Sequence, residues 1–249
     1  MSGKPTLYVF LISHYCEKAR WALDAAGLDY KLRPIAPGFH RKQAKKLGLK
    51  AGALPYLETQ NGVVQGSADI IDWVDGHSQN QFTPLEVADE ARAIEKRLDD
   101  KIGIHTRRYY YSEAMVEYPH TVRPIFVKSL PFVEKFVVKQ KWDMIRSLMI
   151  KGMDLGPQQG LESKAIIETE LDWLDGLLAD GRTYLAGGQF SRADIAAASL
   201  LAPLAIPAEH PEYTNLAVPP GVQTDIELWT KRPCMKYVHN MYAKHRKAP

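Results

Sequence analysis

The sequence predicts an α/β unit followed by an all-helical one. Two observations carry this. Short β-branched and aromatic runs alternate with helically spaced stretches up to residue 77, and no stretch beyond residue 84 requires a strand. A polar segment, Gly76 to Pro84, separates the two patterns. A chain of 249 residues is long enough for two domains of ordinary size. We divide it into 1–77, a linker 78–84, and 85–249.

The apolar run from Leu7 reads as a strand that stops at Ser13, and a helix follows at once, ending at Ala25-Ala26-Gly27. Gly27 suits the position after a helix C-terminus. Asp29 to Ile35 reads as a second strand, completing a unit of βαβ size. Phe39 to Lys50 is basic and reads as a short helix. Pro55 stands at the first position of a third strand, and Asn61-Gly62 signals a hairpin into Val63-Val64. Ser67 is placed to cap a helix carrying Ile70, Ile71, Trp73 and Val74. The first 77 residues are therefore βαβ-α-ββ-α.

In the second part, Thr83 and Pro84 suit the start of a helix running from Leu85 to Tyr111. Met115 to Pro124 reads as irregular, and Phe126 to Leu155 as helical with a break at Pro131. Leu161 to Leu178 has one broad apolar face. Ser191 and Asp194 form a capping box, with Phe190 and Ile195 at the positions of a hydrophobic staple. The helix they open is apolar all round and hence buried. Asp225 to Tyr242 closes the chain with one or two helices.

Composition excludes several function classes. A net charge of +3, with no dense basic block, argues against nucleic acid. Two cysteines, Cys16 and Cys234, cannot build a disulfide framework or a four-sulfur metal site, and no histidines show metal-ligand spacing. No apolar run approaches a membrane span. Met1 to Thr6 leads into a strand rather than a cleavage site. A reducing, cytoplasmic location is expected.

The junction of the first strand and helix carries the chemistry. Ser13 and Cys16 lie one turn apart where free backbone N–H groups and the helix dipole favour an anion, a thiolate included. The stretch Ser13-His14-Tyr15-Cys16-Glu17-Lys18-Ala19-Arg20-Trp21 resembles the active-site segment of serine- and cysteine-type glutathione transferases. Leu54-Pro55, Ser67-Ala68-Asp69-Ile70, the Ser191/Asp194 box, Trp229-x-x-Arg232-Pro233 and Tyr242-x-x-His245-Arg246 resemble further stretches of that superfamily, in the same order.

The resemblance implies a thioredoxin-like first domain, an all-α second domain, glutathione as co-substrate and a homodimer. It implies a cis Leu54-Pro55 bond whose backbone pairs with glutathione, and γ-glutamyl binding at Ser67. The superfamily usually has an acidic or amide side chain immediately before that serine. Here the residue is Gly66, so the contact would pass to Gln65 through a bulge. Lys50 would reach the glycyl carboxylate. Ser13 falls where serine-type members hydrogen-bond the glutathione sulfur. The tyrosine-type mechanism is disfavoured, because Tyr8 would face the other side of the sheet.

Both readings of Cys16 stay open, a reactive thiol or a packed one. His14, Tyr15, Tyr109, Tyr110 and Met115 are candidates for the second-substrate pocket, with core packing the alternative for the tyrosines and solvent exposure for His14 and Tyr15. The expected function is a glutathione transferase attacking a small hydrophobic electrophile. The alternatives are a glutathione-dependent reductase or lyase using Cys16, and a non-catalytic binding module with the same fold.

Overall fold

The computed structural model describes residues 3–128, 130–213 and 216–247. Met1 and Ser2 of the first segment, and Ser129 within the expected helical stretch 126–155, lie outside the described residues. The chain opens with β1 (Thr6–Val9), α1 (His14–Ala25), β2 (Lys31–Pro34), α2 (Phe39–Lys46), β3 (Tyr56–Thr59), β4 (Gly62–Gln65) and α3 (Ser67–Asp75). The sheet order is β2-β1-β3-β4. β1 pairs parallel with β2, and the other two pairings are antiparallel. A parallel pair needs a crossover, and α1 supplies it.

Strand alternation sorts the side chains of β1. Leu7 and Val9 enter the main core with Trp21, Leu23, Ile70 and Ile71, whereas Tyr8 packs with Tyr56, Ile35 and Ala44 in a separate cluster. The Tyr8 hydroxyl donates to Glu58 at 2.9 Å, on the face away from α1. Two local expectations shift by a residue. Thr59 pairs with Gly62, so the hairpin loop is Gln60-Asn61 and Gly62 is the first residue of β4. Ser67 is the first residue of α3 and not its cap. Gly66 holds the cap position at φ 106°, and its N–H donates to the Pro55 carbonyl at 3.0 Å. That left-handed backbone suits glycine and carries no capping side chain.

The helical part begins with a 3-10 turn (Leu85–Val87) and continues through α4 (Ala88–Leu98), a π-helical turn (Asp99–Gly103) and α5 (Ile104–Ala114). Thr83 does not cap α4; its hydroxyl donates to the Asp75 carboxylate at 2.5 Å. Next come α6 (Pro119–Val127), α7 (Phe132–Gln140), α8 (Trp142–Met153), α9 (Pro157–Leu178), α10 (Arg192–Ala205), α11 (Pro220–Trp229) and α12 (Pro233–His245). The segment expected to be irregular contains most of α6. Pro119 occupies its first turn, where a missing N–H costs nothing, and Pro124 is carried inside it.

α10 is buried along its whole length and packs against α1, α4 and α12. Its capping box is formed: the Ser191 N–H donates to Asp194 at 2.7 Å, and the other Asp194 oxygen accepts the Leu185 N–H, also at 2.7 Å. The Arg192 guanidinium then reaches Glu95 on α4 and Asp72 on α3, binding the two parts of the chain together.

α1 is docked by buried charge. Lys18 is fully buried and contacts Glu95 and Asp99, each at 2.7 Å. Glu17 is equally enclosed and pairs with Arg246, from the opposite end of the chain, at 2.6 Å. Burial holds the Glu17 carboxyl above the usual carboxylate range even opposite this guanidinium. Trp21 packs on Tyr242 at 4.5 Å between ring centres, next to these pairs.

Removing one partner of a buried pair strands the other charge. Arg246→Met is expected to cost about 3–5 kcal/mol, read as a fall in the urea midpoint. Adding Glu17→Leu should recover most of that loss, because both charges then leave together. A loss under about 1 kcal/mol in the single variant would mark the pair as solvent-screened.

Candidate functional site

β1 ends at Val9, and the chain turns so that the Ser13 N–H donates to the Phe10 carbonyl at 2.9 Å. Ser13 keeps an extended backbone (φ −81°, ψ 120°) and is the N-cap of α1; its Oγ accepts the Cys16 N–H at 3.4 Å. A serine hydroxyl has one donor and two acceptor sites. Capping uses an acceptor site of Ser13 and does not consume its O–H. The side chain is half-buried and faces a cavity of about 1010 Å³.

This cavity lies between the sheet-bearing part and the helical part. Phe10, Ile12, Ser13 and Leu54 line one side, and Thr106, Arg107, Tyr110 and Tyr111 of α5 line the other. Beyond them α6 and α8 contribute an apolar wall of Val122, Ile125, Phe126, Ile145 and Met149. A large apolar pocket with a few polar groups at one end is the usual form of a small-molecule site.

Of the residues singled out in the sequence, Ser13, His14, Tyr15, Leu54 and Tyr110 line the cavity. His14 is buried, and its Nε2 donates to the Gly103 carbonyl at 2.8 Å. Burial, with Arg107 nearby, lowers its pKa to about 3, so the ring is neutral. Tyr15 donates to the Asp99 carbonyl at 2.5 Å. Solvent exposure, the alternative weighed for these two, does not hold for His14. The ring of Tyr15 lies so close to Gly103 that a Cβ there would meet its hydroxyl at 2.2 Å. Only glycine allows α1 and the π-helical turn to approach this far.

Two pocket candidates are corrected. Tyr109 turns away and donates to Asp225 at 2.5 Å, and Met115 is wholly buried in the core. Neither lines the cavity. For Tyr109 the physical reason is helical phase: Thr106, Arg107, Tyr110 and Tyr111 are spaced three and four apart on one face of α5, and Tyr109 lies off that face; Met115 stands past the end of α5, packed into the core. Tyr111 belongs to the tyrosine run weighed in the sequence; Thr106 and Arg107 were missed, because spacing groups them with Tyr110 but does not say which face meets the cavity. The contribution of α6 had no comparable signal, because its segment read as irregular.

The residues expected to hold glutathione are adjacent in the fold but not all in the cavity. Leu54-Pro55 is cis, as expected. Pro55 and Ser67 are buried, Lys50 is exposed in the preceding loop, and none of Lys50, Pro55, Gln65, Gly66 or Ser67 lines the cavity. The Gln65 amide donates to the carbonyls of Ala51 and Ala53, at 2.9 and 2.7 Å, tying β4 to the loop before Pro55. Cys16 is 2 % exposed and does not line the cavity either. Burial pushes its thiol up to about 12, with only a partial offset from the Ser13 hydrogen bond. Among the described residues, no group of three His, Cys, Asp or Glu is placed to hold a metal ion.

Comparison with known proteins gives a consistent pattern. The family model described as glutathione S-transferase, N-terminal domain, matches residues 7–81, and that for the C-terminal domain matches residues 158–231. Together they cover more than half of the chain; α4 to α8 fall between them. Among curated proteins nothing matches. Among solved structures, glutathione transferase GSTFuA2 from Phanerochaete chrysosporium is 17% identical, with a TM-score of 0.66 and 100% of each chain covered. The β-etherase LigF from Sphingobium sp. strain SYK-6 is 19% identical, with a TM-score of 0.60, covering 95% of this chain and 99% of that one. CsGST63524 of Ceriporiopsis subvermispora, solved with glutathione, is 16% identical, with a TM-score of 0.63 and 99% of each chain covered.

The burial of both cysteines makes a direct check possible. A thiol reagent at pH 8 should find no reactive cysteine in the native protein and two after denaturation. Rapid modification of native Cys16 would contradict the burial described here.

Proposed function

The chain belongs to the glutathione transferase superfamily, and we propose that it activates glutathione as thiolate and directs it at a carbon electrophile held in the cavity. The observation that carries this reading is the hydrogen-bonding state of Ser13. One of its acceptor sites caps α1, and the hydroxyl lines the cavity, where its O–H can donate to a ligand. Placed there, the glutathione sulfur would receive one hydrogen bond from Ser13 and the field of the α1 N-terminus. Both favour the thiolate over the thiol. The thiolate then forms the S–C bond, and the leaving group departs with the electron pair.

In this reading residues 1–77 hold glutathione, 78–84 link, and 85–249 hold the electrophile. The Leu54 backbone pairs with the peptide in strand fashion, and the N-terminus of α3 at Ser67 takes the γ-glutamyl carboxylate. Lys50 is exposed in the loop before Pro55 and reaches the glycyl carboxylate from there. Glutathione in the similar Ceriporiopsis structure supports it as co-substrate here. A homodimer, a cytoplasmic setting and a detoxifying role belong to the same proposal. No helix among the described residues is long and apolar enough to cross a membrane.

The Cys16 reading, a reductase or lyase, needs a thiolate at a buried position where the thiol pKa is pushed up to about 12. That favours Ser13. A second reading keeps the fold as a binding module without turnover. Gln65 is the observation behind it: the amide expected to meet the γ-glutamyl group is instead bonded to Ala51 and Ala53.

Ser13→Ala should lower kcat/KM with a generic aryl halide at least tenfold, about 1.4 kcal/mol of transition-state stabilisation. Cys16→Ala should retain most of the rate. Loss in the second variant and tolerance of the first would move the chemistry to Cys16. Calorimetry showing no glutathione binding at millimolar concentration would favour the binding module.

A further inference from the structure

The charged side chains lining the cavity have one sign. Arg41 and Lys42 of α2, Arg107 of α5, and Lys141 and Lys151 around α8 line it, and no Asp or Glu does. Arg41 and Lys42 belong to the sheet-bearing part and are exposed. Lys141 and Lys151 are exposed. Arg107 differs from all four. Its Nε is buried and has no hydrogen-bond partner among the described residues.

The contrast with its neighbour is direct. Arg108 is fully engaged, donating to Asp154 at 2.5 Å and to Glu162 at 3.1 Å. Arg107, one position back and on the cavity face of the same helix, forms no ion pair among the described residues. Its charge bears on His14, Tyr15 and Tyr111, which places it beside the loop that carries Ser13. Thr106 is a second, independent observation. It is 0% exposed, lines the cavity, and its Oγ1 has no partner.

A buried, unbonded Nε on an arginine without a counter-charge is costly, and so is an unbonded buried hydroxyl. A neutral ligand would supply no counter-charge. A carboxylate would pair with the guanidinium fork and accept from a nearby hydroxyl, while a cation would meet only repulsion in this lining. The rest of the wall is hydrocarbon.

We propose that the second substrate is an amphipathic organic acid, its carboxylate held by Arg107 and its apolar body lying on Val122, Phe126, Ile145 and Met149. The word substrate rests on the transferase reading given above; the ligand class rests on the cavity alone. Arg107 is thus the residue that sets specificity, and the electrophile differs from the small apolar molecule expected from the sequence.

The test is calorimetry on the full chain with 4-phenylbutyrate and its uncharged isostere 4-phenylbutyramide, with and without saturating glutathione. The wild type should bind the acid at least tenfold more tightly than the amide under both conditions. Arg107→Met should bring the two affinities together, and Arg107→Lys should fall between; amide affinity in each variant reports whether the cavity is intact. Equal affinities in the wild type would overturn the proposal, as would an acid preference that survives Arg107→Met. A preference abolished by glutathione would overturn it too, by assigning Arg107 to glutathione itself. An acid preference in a protein that turns over no electrophile leaves this inference standing and removes the transferase reading. Turnover of neutral electrophiles with no acid preference does the reverse.

Discussion

Two adjacent charges on one helix constrain the whole molecule. Glu17 and Lys18 follow each other on α1, and neither has access to solvent. Each requires a partner of opposite sign brought from far along the chain: Arg246 for Glu17, and Glu95 with Asp99 for Lys18. An isolated buried ion would cost several kcal/mol, so α1 is not stably placed until the helical part and the chain end are docked on it. Ser13 caps this same helix. The geometry at the cavity is therefore set by contacts that reach across most of the sequence, and a disturbance at Arg246 should be felt at Ser13.

The cavity follows from that docking. Once α1 is seated on the π-helical turn, Gly103 lets the ring of Tyr15 approach, and the cavity face of α5 comes opposite Ser13. α6 and α8 then close the apolar side. These helices lie outside both matched family segments, whereas Ser13, Leu54 and Ser67 lie inside the first.

How much of this was legible beforehand depended on how local the physics is. The strand-to-helix junction at Ser13 and the capping box at Ser191 and Asp194 are settled by neighbours in sequence, and both are found as expected. The cap of α3 went to Gly66 because its left-handed backbone places Ser67 inside the helix, a choice that serine-counting does not register. Nothing local marks Glu17 and Lys18 as buried, since charged residues rarely are; only the distant partners make them so. Tyr109 and Tyr110 looked equivalent until the docking of α5 fixed which side of the helix meets the cavity. Cys16, left open between two roles, lies on the packed side of α1.

The central claim is that Ser13 stabilises a borrowed thiolate. Its most direct test is an ultraviolet titration of glutathione bound to the wild type and to Ser13→Ala, following the thiolate absorbance. The thiol should titrate at least one unit below the ordinary value of about 8.5 in the wild type and return toward it in the variant. The same depressed titration in both proteins would remove Ser13 from this role, because the helix terminus or another donor would then hold the sulfur.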